Sequence, residues 1–255
     1  MAFGWAWAFW LVGWLVFERR LDLPLVPVIL IGSFGPLVGA VATTLAEGGL
    51  PRALAFFGRV FELRMGWAVF LVSFFLAPVL AIVVEYAHAA LTQTPPVVDL
   101  HWRDLPMVYL FLFVLGGTVA EEFGWSLLSD KLDTLAPLGR STFALGAIWA
   151  VWHLPLFFIM APGLVQGYTP FYIFCFVTVS MRYLFAWAYH RGGYNILSNM
   201  LFHTASNLAY SIVVLAPTAT EHSTVKLWMY GALTLLSAVA LWRIAPPRQS
   251  TPPGA

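Results

Sequence analysis

Six polar side chains sit inside stretches that are otherwise apolar: Glu121, Glu122, His153, Arg182, His203 and Asn207. Ionisable groups at membrane depth are costly and tend to mark function. A carboxylate and an imidazole can take a proton from water and make it a nucleophile. His203 and Asn207 are four residues apart, so they share a helix face. The Asn207 carboxamide can hold the imidazole or donate to a substrate oxygen. Glu121 and Glu122 are adjacent, about 100° apart on a helix. One is expected to face a cavity and the other to take a structural hydrogen bond. The plainer readings are packing histidines and a glutamate pair snorkelling to an interface.

The elements that must hold these residues follow from composition. The 255-residue chain is 60% apolar, 16% aromatic and 10% charged, with a mean hydropathy of +0.81. A soluble domain carries about 25% charged residues, and a disordered chain is poor in apolar ones. A single cysteine, Cys175, excludes a disulfide scaffold. A net charge of +1 gives no basic footprint for nucleic acid. The expected fold class is all-α, a polytopic membrane protein with about eight transmembrane helices around an intramembrane polar cavity.

A crossing helix needs roughly 17–25 mostly apolar residues. Eight stretches qualify, at about residues 2–17, 23–45, 65–86, 105–128, 143–160, 171–190, 196–216 and 227–245. None alternates as a barrel strand would. The first is short and has neither a basic leader nor a small-residue cleavage site, so it does not read as a signal peptide. Turns are marked by Gly48-Gly49, Pro95-Pro96, Ala161-Pro162-Gly163 and Gly192-Gly193. Gly35-Pro36 predicts a kink or close packing within the second span. Residues 1–245 read as a single transmembrane helical domain, and 246–255 as a disordered polar tail.

Lys and Arg counts set orientation. The side holding both termini carries Arg52, Arg59, Arg64, Lys131, Arg140, Arg191, Arg243 and Arg248, against Arg19, Arg20, Arg103 and Lys226 opposite. Both termini are therefore expected to be cytoplasmic. On this topology Glu121, His153 and His203 all lie roughly 10–15 Å below the cytoplasmic boundary. Polar groups from three helices at one depth suggest one site.

Three motifs then resemble a known family. Glu121-Glu122-Phe-Gly-Trp125, Trp149-Ala-Val-Trp-His153-Leu-Pro155 and His203-Thr-Ala-Ser-Asn207 are similar to the motifs of the CPBP membrane proteases, the CAAX prenyl endopeptidase and bacteriocin-processing (Abi) family. Gly35-Pro36 and Ala40 resemble its N-terminal part, so the likeness covers about residues 32–210. The resemblance implies an eight-helix intramembrane protease. Its first motif ends in an arginine, where this chain has Ser126. Arg182 is the candidate replacement, since a buried guanidinium needs a carboxylate partner; snorkelling or binding to carbonyls is the alternative.

On this reading Glu121 is the base, His153 holds the water, His203 and Asn207 stabilise the oxyanion, and Glu122 orients the network, with Trp149 as the motif's aromatic. Family members are described as metal-dependent and as glutamate-dependent. The metal-free version is favoured here. Zinc on Glu121, His153 and His203 is the competing chemistry, without the close His-Glu-x-x-His spacing. The expected substrate is a peptide or membrane-tethered segment cut near the cytoplasmic face. The setting is the lipid bilayer, as a multi-pass protein of a bacterial inner membrane. A catalytically impaired relative that binds or regulates a membrane partner is the second reading. A proton-coupled transporter is the third, although no repeats or broken helices are evident.

The remaining features carry no assigned chemistry. Asp99, His101 and Asp104 read as a solvated loop, and His88, His190 and His222 as span ends or loops. Cys175 reads as a packing residue. The tryptophans, including Trp5, Trp7, Trp10 and Trp14, read as interface anchors and lipid-facing surface.

Overall fold

The structure is a computed structural model and describes residues 1–161 and 164–247. Among them are ten α-helices and no strand: α1 (Ala2–Phe17), α2 (Leu25–Ser33), α3 (Gly35–Gly58), α4 (Trp67–Thr92), α5 (Leu105–Leu115), α6 (Thr118–Leu135), α7 (Leu138–Trp152), α8 (Phe171–Arg191), α9 (Ile196–Ile212) and α10 (Val225–Ile244). Short 3-10 turns follow α3 and α7. The expected tail lies outside the described residues from Arg248 onward, as do Pro162 and Gly163 of one expected turn.

Among the described residues five stretches are long and apolar enough to cross a membrane: Leu25–Phe61, α4, Leu138–Phe158, α8 and α10. The pair α5 and α6, bent by 53°, makes a sixth. The expected count of eight is therefore not reached on length and composition. α1 has 16 residues and α9 has 17, at the lower limit of a full crossing. α9 also buries the polar side chains of Ser198, Asn199, His203, Thr204 and Ser206 inside the bundle.

Breaks divide three of the expected spans. The second parts at Phe34 into α2 and α3. The fourth parts at Gly116-Gly117, where Gly117 has φ +94°, a left-handed conformation that suits glycine. The α-helical part of the fifth ends at Trp152. Pro155 has no amide proton and disfavours helical geometry in the residue before it, so the chain continues as a 3-10 turn over Leu154–Phe158. His153 thus caps the α-helical part of this stretch.

The ends of the bundle are held differently. At one end Arg59 pairs with Asp130 at 2.6 Å, Lys131 pairs with Glu47, and His190 lies 3.1 Å from Asp133. The Ser141 hydroxyl donates to Asp133, and Trp187 donates to the Ala245 carbonyl at 2.7 Å. These contacts gather the ends of α3, α6, α8 and α10 with the start of α7. At the opposite end Lys226 pairs with Glu85 at 2.8 Å, and the Asp99 amide donates to the Ile212 carbonyl at 2.8 Å. The first end carries most of the basic residues and is called the basic end below.

Tryptophans also fill the interior. Trp10 is fully buried, its ring 4.5 Å from that of Trp152, and its indole N–H donates to the Ile29 carbonyl at 3.0 Å. The reading of Trp10 as an interface anchor is corrected: its ring packs inward because α1 lies against α2 and the turn after α7. Gly35-Pro36 is a point of close packing. A side chain on Gly124 would place its Cβ 2.4 Å from Pro36 Cβ and 2.5 Å from the Pro36 carbonyl oxygen. Overpacking of this kind costs about 1–3 kcal/mol. Gly124→Ala is expected to lower the thermal unfolding midpoint in detergent by pushing α3 off α6; an unchanged midpoint would contradict the contact.

Candidate active site

The break in the fourth span builds one wall of the site. Because α5 stops at Leu115, α6 starts a fresh N-terminus inside the bundle, with Glu121 in its first turn. A carboxylate is favoured there by the unsatisfied amides and the helix dipole. The break is tied to α9 twice. The Asn207 amide donates to the Gly116 carbonyl at 2.7 Å, and the Thr118 and Thr204 hydroxyls meet at 3.1 Å.

Glu121 is gripped from one side. Its Oε2 accepts from the indole of Trp149 at 2.7 Å and from that of Trp125 at 3.1 Å. Its Oε1 lies over Gly117, where an added Cβ would come within 2.6 Å of Oε1 and 3.9 Å of His203 Nε2. The bare glycine leaves room for both atoms. Glu122 points away and has no solvent exposure. Its Oε1 accepts from His203 Nδ1 at 2.9 Å, and its Oε2 lies 3.5 Å from Arg182 Nη1. One glutamate faces the cavity and the other is locked in a buried polar cluster.

The two imidazoles have assignable protons. His153 Nδ1 lies 2.9 Å from the Trp149 carbonyl. A carbonyl only accepts, so Nδ1 carries the proton and Nε2 keeps its lone pair in the neutral ring. His203 Nδ1 donates to the Glu122 carboxylate, which leaves Nε2 turned toward Gly117.

Glu121, His153, His203 and Asn207 line one cavity of about 540 Å³. Trp149, Gly116 and Gly117 also line it, whereas Glu122, Ser126 and Arg182 lie behind its wall. Among the described residues no three His, Cys, Asp or Glu side chains are placed as a metal-holding group. Glu121, His153 and His203 share a space without closing into a ligand set.

The cavity runs away from the basic end. Its lining takes Phe174, Val177 and Thr178 from the first half of α8, and Tyr210 and Ser211 from the end of α9. On the other side of Glu121 and Glu122 the bundle is packed shut. Arg59, 4% exposed, bonds Asp130, Tyr189 and the Tyr194 carbonyl. His190 is buried beside Asp133. Sequence reading counted Arg59 among the basic residues of a connecting segment, took His190 as a span end, and passed over Asp130, Asp133 and Tyr189. A charged residue in a connecting segment gives no sign of whether that segment folds inward.

Asn199 was also passed over. Its carboxamide donates to the Ser126 hydroxyl at 3.3 Å, at the position where the motif has an arginine. The spacing Asn199, His203, Asn207 repeats every four residues, and this single face was a readable signal. Arg182 comes from α8 to the same cluster, 1% exposed, with its guanidinium 5.5 Å from the Phe185 ring. Removing one partner of a buried pair leaves an uncompensated charge and costs about 3–5 kcal/mol. Arg182→Met is expected to lower stability by about 3 kcal/mol, toward the low end because 3.5 Å is a long contact. Arg182→Lys should lose less. Equal midpoints for Arg182→Met and wild type would rule out a stabilising pair.

None of the curated proteins compared with the chain matches it. A family model does match, over residues 103–209, described as type II CAAX prenyl endopeptidase Rce1-like. That segment runs from the turn before α5 into α9 and contains all three motifs. The part of the chain that supplies Glu121, His153, His203 and Asn207 thus matches the Rce1-like family of type II CAAX prenyl endopeptidases, in agreement with the resemblance to the CPBP proteases.

Proposed function

We propose that the protein is an intramembrane endopeptidase that hydrolyses peptide bonds of membrane-tethered substrates with a water activated by Glu121 and His153. The observation that carries this reading is the single cavity onto which Glu121, His153, His203 and Asn207 open from three separate segments. The Rce1-like match, which implies CAAX-type protease activity, supports the same reaction class.

In the reaction, water donates one proton toward Glu121 Oε1 and the other to the lone pair of His153 Nε2. As Glu121 takes its proton, the oxygen attacks the scissile carbonyl carbon and a tetrahedral oxyanion forms. His203, protonated and held by Glu122, donates its Nε2–H to that oxyanion. Glu121 then passes its proton to the leaving nitrogen as the C–N bond breaks. The two indoles keep Glu121 aimed throughout. Asn207 spends one amide hydrogen on Gly116; its main role here is to hold the break, with its second N–H left for the substrate. Arg182 supplies from α8 the positive charge that Ser126 does not. Glu121, His153 and His203 are the donors that zinc would use, but they are not drawn together as ligands, so no step is routed through a metal.

General acid–base groups are worth about 10²–10⁴ in rate, and an oxyanion donor about 10²–10³. Cleavage of a lipid-anchored peptide by the purified protein is expected to fall by at least about 10²-fold in Glu121→Gln and His153→Ala, with folding intact. Activity should survive dialysis against a chelator. Loss on chelation, restored by zinc, would replace the metal-free version. Wild-type protein that binds the peptide without cutting it, with Glu121→Gln binding equally, would favour the impaired, regulatory relative that Ser126 suggests.

The reading also includes an orientation, with the basic end and both termini cytoplasmic in a bacterial inner membrane. The cavity then meets its substrate from the outer half of the bilayer, not near the cytoplasmic face as depth alone suggested. In a Cys175→Ser background, Ser211→Cys should react with an impermeant maleimide on intact cells, and Arg140→Cys only after lysis. The reverse pattern would invert the orientation.

A further inference from the structure

We propose that α1 belongs to the working site: Trp7 and Trp10 are positioning residues that brace the end of α7 and so fix the imidazole of His153. This rests on the endopeptidase reading above, in which His153 holds the attacking water.

The brace answers a fault in the backbone. Carbonyls at the end of a helix lose their amide partners. For the Trp152 carbonyl that loss is written into the sequence. The residue three positions on is Pro155, which has no N–H. The next amide, of Leu156, donates instead to the His153 carbonyl at 2.9 Å. An unsatisfied carbonyl at membrane depth is costly. The Trp7 indole fills the place, donating to the Trp152 carbonyl at 3.0 Å. That carbonyl belongs to the peptide unit joining Trp152 to His153, so the bond holds the backbone from which the imidazole hangs.

Trp10 acts on the ring itself. The bond between His153 Nδ1 and the Trp149 carbonyl is one tether, and a ring held at one point can still tilt. Aromatic rings close around it. Trp152 lies at 4.7 Å, Phe174 at 5.2 Å and Trp149 at 5.9 Å between ring centroids, all at steep angles. Trp10 lies at 6.3 Å and within 23° of parallel. Trp10 is itself fixed. It has no exposure, its indole donates to the Ile29 carbonyl of α2 at 3.0 Å, and its ring packs on Trp152 at 4.5 Å. Gly32 of α2 leaves it room, since a Cβ there would fall 2.4 Å from Trp10 Nε1. Trp10 therefore carries the position of α2 to both Trp152 and His153.

The three motifs do not contain this brace, because α1 lies outside the matched residues 103–209. Trp10 lines the cavity, whereas Trp7 does not. Trp7 thus acts on the reaction through the Trp152 peptide and not by touching substrate. A misplacement of about 1 Å in a reacting group can cost on the order of 10²-fold in rate.

A third indole of α1 supplies the control. Trp5 donates to the Ile31 carbonyl at 2.8 Å, a bond of the same kind from the same helix, directed to α2 and not to the turn after α7. Trp7→Phe and Trp5→Phe each remove one such bond and keep a ring. With a lipid-anchored peptide and purified protein, Trp7→Phe is expected to lower kcat at least about tenfold, with KM unchanged and a thermal midpoint matching that of Trp5→Phe. Trp5→Phe should keep the wild-type kcat. Trp10→Leu should also lower kcat, and Trp10→Phe should recover part of it. The second readout needs no turnover. In protein labelled with 15N-histidine, the His153 signals are assigned by their loss in His153→Ala. They should report a single Nδ1–H tautomer in wild type and Trp5→Phe, and a mixture in Trp7→Phe and Trp10→Leu. If Trp7→Phe matches Trp5→Phe in kcat and in these signals, the inference is overturned. The expected change of signals in a protein that cuts no peptide sinks the protease reading and leaves the brace on His153 standing.

Discussion

Glu122 is a carboxylate with no route to water, and the heart of the bundle is arranged around that fact. A buried charge must be paired and hydrogen-bonded or it unfolds its surroundings. Here the pairing comes from two other helices, with His203 of α9 at 2.9 Å and Arg182 of α8 at 3.5 Å. Helices α6, α8 and α9 are therefore fixed against one another by one side chain. The same contact sets the tautomer and aim of His203, so a structural requirement and a chemical one are met together.

Glu121 is treated differently although it is the next residue. Adjacent positions on a helix diverge by about 100°, which turns Glu121 toward Trp125, Trp149 and the open space. Two indole N–H groups satisfy one of its oxygens and leave the other beside Gly117. This arrangement needs the bend at Gly116-Gly117. A straight helix would offer no N-terminus at this depth and no bare glycine leaving room for Oε1 and His203 Nε2. Irregular backbone inside a membrane is tolerated where protein or a cavity satisfies it, and the Asn207 amide on the Gly116 carbonyl does so here.

The polar layers below and around the site divide the bundle into a closed and an open half. Arg59, Asp130, Tyr189, Asp133 and His190 fill the basic end with paired groups. The opposite half keeps space between α2, α5, α8 and α9. The charge distribution of the cavity follows from this division. The buried Arg59 and Arg182 hold helices together, and the cavity is lined by one carboxylate, two imidazoles and otherwise neutral groups.

Composition and apolar runs were enough to establish a helical membrane protein, because a chain with so little charge cannot clothe a soluble globule. The spacing of Glu121, His153, and His203 with Asn207 was enough to name these cavity-lining groups, since helix periodicity and depth are both local properties. Helix breaks were less legible. Gly116-Gly117 sits in a continuous apolar run, and its bend depends on partners in α9 that local sequence does not reveal. The role of Arg182, the inward turn of Arg59, the pairing of Asn199 with Ser126 and the side on which the cavity lies were decided by tertiary structure alone. Each depends on which distant side chain arrives opposite it. Pairing of buried charges is a long-range condition that the order of residues along one helix does not contain.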